Sequence, residues 1–151
     1  MRRLKATLNE QVLKEIEEDL RLIAPCNIVF RDRLSGRKMG EAQWGRPGRK
    51  IVIEIASGMY EFAKIRDLQM ELLITILHEL RHWHQIDRWP GHEITEDLKL
   101  PYRQRKVEKD AEDWARTNAK KYRGLVKLNV RHLNTGLSRL GKTERSIRSH
   151  G

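Results

Sequence analysis

Apolar residues recur at helical spacing over residues 8–23, where Val12, Ile16, Leu20 and Ile23 share one face and Pro25 stops the run. Asn9 or Thr7 can cap that helix. The pattern then changes to short apolar runs separated by turn residues. Residues 27–33 carry Ile28, Val29 and Phe30 and read as a strand closed by Leu34-Ser35-Gly36. Residues 38–44 read as a second, short strand. Residues 50–56, with Ile51, Val52, Ile53 and Ile55, read as the strongest strand. Three short strands joined by tight turns predict an antiparallel meander. A long helix follows over 65–87, then a loop over 88–102 with Pro90, Gly91 and Pro101, then a helix over 103–122. Leu125, Leu128, Val130, Leu133, Leu137 and Leu140 have a partly helical spacing that suits a docked helix over 124–140. The expected fold class is α+β: an N-terminal helix, a three-stranded, mainly antiparallel sheet, and two further helices.

Length and composition narrow this picture. With 151 residues, 38% of them hydrophobic and 34% charged, the chain has room for one modest core. No apolar stretch approaches the roughly 20 residues of a membrane span. No apolar run follows the basic start Met1-Arg2-Arg3-Leu4-Lys5, so a secretory signal is not expected. The single cysteine, Cys26, can form neither an internal disulfide nor a cysteine-based zinc cage, and reads as a small buried residue. A cytoplasmic location is the default expectation.

The formal net charge is +10, which first suggests an anionic partner or a basic tail. Its distribution decides between these. Residues 1–115 hold 21 basic and 20 acidic residues, whereas residues 116–151 hold ten basic residues and the single acid Glu144. The chain therefore divides into a nearly neutral domain over 1–123 and a basic C-terminal extension over 124–151. Within the extension, at least 141–151 is expected to be disordered, because Ile147 is its one apolar side chain.

The chemistry sits in the long helix, which contains His78-Glu79-Leu80-Arg81-His82. Two His at i and i+4 lie about 40° apart around a helix and project the same way, one turn apart. Their ring nitrogens can bind one zinc ion at about 2.0–2.1 Å. Glu79 flanks that position and can act as a general base towards an activated water. Leu72, Leu73, Ile76, Leu77, Leu80 and Trp83 form one apolar stripe, with His78 and His82 clear of its centre.

A catalytic zinc takes three protein ligands. His84 is about 200° from His82 and cannot easily join the same ion. The following helix offers Glu108-Lys109-Asp110-Ala111-Glu112-Asp113-Trp114-Ala115, where Glu108 and Glu112 share one face beside small Ala111 and Ala115. We assign Glu108 as third ligand, with Glu112 one turn on to orient a ligand His. Asp110, Glu112 and His92 are the rivals for the ligand role. Arg81, inside the motif, is expected to face solvent.

The string His78-Glu79-Leu80-Arg81-His82-Trp83-His84-Gln85, followed by Glu108-x-x-Ala111-Glu112-x-Trp114-Ala115, resembles the small zincin-like metallopeptidases. The likeness is to their gluzincin branch, with minigluzincins and relatives of the SprT-like and phage-borne small peptidases, and covers roughly residues 27–116. The resemblance implies a zinc-dependent peptidase with a zincin-like fold. His78, His82 and Glu108 would be the ligands and Glu79 the general base, acting on a peptide or protein substrate. It also implies a strand edge that holds the substrate backbone, for which residues 38–44 match best by position. SprT-like proteins proper use a third His and often a zinc ribbon; this chain has no cysteines for the ribbon, and His92 alone could supply the His. A donor for the developing oxyanion is also needed, and Tyr102, His92 and Tyr122 are available, with Tyr102 best positioned at the entry to the ligand helix. The alternative function is a nucleic-acid-binding accessory protein with a structural or vestigial zinc site, contacting phosphates through the basic extension.

Overall fold

The computed structural model describes residues 2–31, 40–43, 49–54 and 65–132. In chain order the elements are β1 (Arg2–Leu8), α1 (Glu10–Asp19), β2 (Cys26–Arg31), β3 (Gly40–Gln43), β4 (Arg49–Glu54), α2 (Ile65–Arg88), α3 (Gly91–Leu98), a 3-10 turn (Tyr102–Gln104), α4 (Lys106–Asn118) and β5 (Val126–His132). Among the described residues, four helices and two small sheets make an α+β arrangement. None of the described helices is long and apolar enough to cross a membrane.

Helix α1 begins where Asn9 caps it, its side chain accepting the Gln11 N–H at 3.0 Å and the Val12 N–H at 3.2 Å. It ends sooner than the apolar spacing implies, because Arg21 takes a left-handed conformation (φ 53°) and turns the chain before Pro25. Leu13, Ile16 and Leu20 are buried, whereas Ile23, beyond that turn, is exposed.

The sheet order corrects the meander. β2 pairs in parallel with β4, and β3 pairs antiparallel with β4 from the far side, giving the order β2-β4-β3. The reason lies in β4. Ile51, Val52 and Ile53 are all fully buried, and a strand buried on both faces belongs in the centre of a sheet. Gly40-Glu41-Ala42-Gln43 is the most polar of the three strands and forms an edge.

The second sheet joins opposite ends of the described chain. β1 and β5 pair antiparallel, with Ala6 opposite Leu128 and Thr7 opposite Lys127. Ala6, Val126 and Leu128 are buried while Thr7, Lys127 and Asn129 are exposed, the period-two alternation of a half-buried ribbon. So the segment read as a docked helix over 124–140 is a strand as far as His132, and it lies past the boundary drawn after residue 123. Residues 141–151 fall outside the described residues.

Helix α2 is the centre of the molecule. Leu68, Leu72, Leu73, Ile76, Leu77, Leu80 and Trp83 are buried against β3, β4, β5 and α4. Gln69 at its start accepts the Leu128 N–H at 2.9 Å and so ties β5 to it. The connection expected as a loop over 88–102 contains α3. Pro90 (φ −59°) stands just before its first residue, a place where a missing N–H costs nothing. Cys26 is buried, and burial pushes its thiol up to about 12, as befits an inert packing residue.

Candidate metal centre

Two helices and a turn build the site. α2 supplies His78, Glu79 and His82, α4 supplies Glu108 and Glu112, and the 3-10 turn between α3 and α4 supplies Tyr102. α4 approaches α2 closely because Ala111 and Ala115 at the contact are fully buried and small. The start of α4 is fixed from outside the helix. Arg105 precedes it without a capping side chain. Instead the Asp97 carboxylate on α3, buried to 7% exposure, accepts the Lys106 N–H at 2.8 Å and the Val107 N–H at 2.9 Å. The next residue is Glu108, so this cap sets where its carboxylate emerges.

The two imidazoles meet edge to face, with ring centroids 4.7 Å apart. Their Nε2 atoms converge on one oxygen: Glu108 Oε1 lies 2.9 Å from His78 Nε2 and 3.1 Å from His82 Nε2. The far side of each ring is held as well. His78 donates Nδ1–H to Glu112 Oε2 at 3.0 Å, and His82 donates Nδ1–H to Gln85 Oε1 at 2.8 Å. Glu112 is itself steadied by Arg116, whose Nε lies 2.7 Å from Glu112 Oε1. His78, Glu79 and His82 each offer a ligand atom, all within 4.8 Å of one another, and this group could hold a metal ion.

The electrostatics follow from these contacts. Burial pushes both imidazoles down, but the hydrogen bond to Glu108 and the nearby carboxylate charges outweigh it, raising His78 and holding His82 up at about 9. Burial alone would raise Glu108; the hydrogen bonds from His78 and His82 outweigh it and keep that carboxyl well below the usual range. Tyr102 is 60% exposed, yet desolvation at its hydroxyl end, and then the charge and hydrogen bond of Glu108, push the phenol up to about 12. It stays protonated at neutral pH and can donate.

The other sequence candidates lie elsewhere. Asp110 is taken by Arg81, whose Nε and Nη2 lie 2.8 and 3.2 Å from its two oxygens. This overturns the expectation that Arg81 faces solvent, since its guanidinium also lies 5.6 Å above the Trp114 ring. His84 bonds the Leu20 carbonyl at 2.7 Å, away from the pair. His92 is exposed on α3. Tyr122 is buried and donates its hydroxyl to Asp19, so it is no oxyanion donor. Sequence reasoning gave no role to Gln85; its signal was its place three residues after His82, one turn along the same face.

The donor set can be tested against zinc. Two imidazole nitrogens and a carboxylate oxygen are the ligand types of a catalytic zinc site, and a tetrahedral site with bonds near 2.1 Å has ligand–ligand edges of about 3.4 Å. Two of its edges are approached in the structure, where Glu108 Oε1 lies 2.9 and 3.1 Å from the two Nε2 atoms. No family model matches the chain, and neither a curated protein nor a solved structure matches it.

A pH dependence follows for the chain stripped of metal. His82 has an ordinary value of 6.5 and a folded value of about 9, so folding favours its protonated form. That contribution is fully present below pH 6.5 and is lost as pH rises through about 9. The urea midpoint of chelator-treated protein is expected to fall between these limits, and the fall should shrink in His82→Gln, where His78 keeps its own bond to Glu108. A parent midpoint that holds or rises over this range contradicts the His82–Glu108 pairing.

Proposed function

We propose that the protein is a zinc-dependent peptidase of zincin-like type, with His78, His82 and Glu108 as ligands. The convergence of both Nε2 atoms on Glu108 Oε1, at 2.9 and 3.1 Å, carries this reading. Two further observations support it. Glu112 is an acceptor beside His78 Nδ1, the partner a ligating His needs on its far side. The strand β3 packs beside α2 and, among the described residues, lies at the edge of its sheet, a position suited to an extended peptide.

Zinc, when bound, would supply a water of pKa near 7 and an electrophile for the scissile carbonyl. The remaining steps belong to the chain. Glu79 takes the proton from the attacking water and returns it to the departing amine. Its 8% exposure keeps bulk water from competing for that proton. The Tyr102 phenol, protonated at neutral pH, donates to the carbonyl oxygen as negative charge develops there.

The test is metal content together with hydrolysis. Purified protein should bind about one zinc per chain. It should cleave an unfolded protein substrate, lose that activity to a chelator and regain it with zinc. Protein that takes up no zinc after chelator treatment and dialysis against the metal would end the proposal.

A further inference from the structure

Gln85 is 2% exposed, and every polar atom of its side chain is engaged. A primary amide has one accepting and one donating end, and nothing in its own shape decides which way round it sits. Here the surroundings decide. Gln85 Nε2 lies 2.8 Å from the Val107 carbonyl oxygen and 2.9 Å from Asp110 Oδ2. Both are acceptors without a proton to give, so the NH2 end must face them. Asp110 is itself held by Arg81, so this pair of acceptors is fixed in place. The carbonyl end is thereby forced towards His82, where Oε1 lies 2.8 Å from Nδ1. An acceptor at Nδ1 keeps the proton on that nitrogen and leaves Nε2 to present its lone pair.

We infer that Gln85 is a positioning residue, which locks His82 with its Nε2 turned into the metal site by presenting a carbonyl that α4 does not allow to turn over. This rests on the metal-binding reading above. It also explains why two different residue types serve the two imidazoles. Glu112 can only accept, so it needs no orienting. Gln85 can do either, and the α4 acceptors Val107 O and Asp110 remove the choice.

A purely structural role, clamping α2 to α4, makes a different prediction, and two variants separate them. Gln85→Met keeps the volume and loses all three hydrogen bonds. Gln85→Glu keeps an acceptor for His82 but loses both bonds donated to α4 and sets a carboxylate against Asp110. Positioning predicts that Gln85→Met binds zinc about 10–100-fold more weakly, by competition with a chromogenic chelator, while Gln85→Glu stays near the parent. Clamping predicts that Gln85→Glu is at least as impaired as Gln85→Met. Should Gln85→Glu fold poorly, Gln85→Glu with Asp110→Asn relieves the repulsion and is expected to bind zinc like the parent. Parent-like zinc affinity in Gln85→Met, or a loss in the folded Glu variants as large as in Met, overturns the inference. A parent that binds no zinc fails earlier and marks the metal reading itself as wrong.

Discussion

Glu79→Gln is expected to lower peptide hydrolysis by roughly 10²–10⁴-fold while leaving zinc content at the parental level. The amide keeps the size and shape of the carboxylate, so the packing of α2 around a residue 8% exposed survives. It cannot accept a proton at neutral pH, and that is the step assigned to Glu79. The loss should fall on kcat with little change in KM, because the carboxylate acts on the reacting water. The same variant decides between two descriptions of the metal centre. Glu79 lies in a group with His78 and His82 whose ligand atoms are all within 4.8 Å, so it is near enough to be considered a ligand. Glu108 Oε1 is in direct contact with both rings, at 2.9 and 3.1 Å from the two Nε2 atoms. If Glu108 ligates and Glu79 is the base, Glu108→Gln weakens zinc binding and Glu79→Gln does not. The reverse pattern, or a Glu79→Gln protein that cleaves as fast as the parent, would require the roles to be redrawn.

The parts of this arrangement that rest on local periodicity were legible in the sequence. The apolar stripe from Leu72 to Trp83 defines a helix and the face it buries, and all six residues named in it are buried. The i, i+4 spacing brings His78 and His82 together, and the same spacing sets Glu108 and Glu112 on one face of the next helix. Ala111 and Ala115 signalled a close helix–helix approach, and both have zero exposure.

What escaped was pairing between distant segments. β1 and β5 are joined across more than a hundred residues, with Leu8 opposite Val126 and Arg2 opposite His132. Each has a period-two pattern, but Leu125 and Leu128, and Val130 and Leu133, also fit an i, i+3 spacing in the sequence, and only a partner strand decides between the two. The strand order failed for a related reason. Tight turns favour neighbours in sequence, but the demand of Ile51-Val52-Ile53 for cover on both faces overrode them. The partners of Arg81, Asp110 and Trp114, come from another helix and are invisible to single-helix periodicity. The orienting role of Gln85 escaped likewise, because its meaning depends on two acceptors supplied by α4.

Asp87→Ala is expected to destabilise the fold by about 3–5 kcal/mol, lowering the melting temperature on the order of 10 °C. Asp87 lies in the last turn of the helix that carries the site, and its side chain is 1% exposed beside an Arg49 side chain that is 10% exposed. The two form a bidentate pair, with Arg49 Nη1 at 2.7 Å from Asp87 Oδ2 and Nη2 against Oδ1. The Ile23 N–H donates to Oδ2 at 3.0 Å, so one carboxylate joins α2, the start of β4 and the loop after α1. Arg49 also lies 4.9 Å over the Trp83 ring. Removing the carboxylate leaves a guanidinium in a nearly dry pocket, and that stranded charge, more than the lost attraction, sets the size of the effect. Burial would raise the Asp87 carboxyl, but the Arg49 bonds and the Ile23 N–H outweigh it and hold it below its ordinary 3.8. Its contribution is therefore present above about pH 3.8 and is lost as pH falls through the lower folded value, steepening acid unfolding in the parent but not in the variant. A buried pair broken on one side differs from a pair replaced on both. Asp87→Leu combined with Arg49→Met should recover most of the loss, because no charge is then left without a partner. Urea unfolding of the two single variants and the double variant measures this directly. A double variant as unstable as the sum of the singles would mean that the backbone bond from Ile23, and not the ion pair, anchors the end of α2.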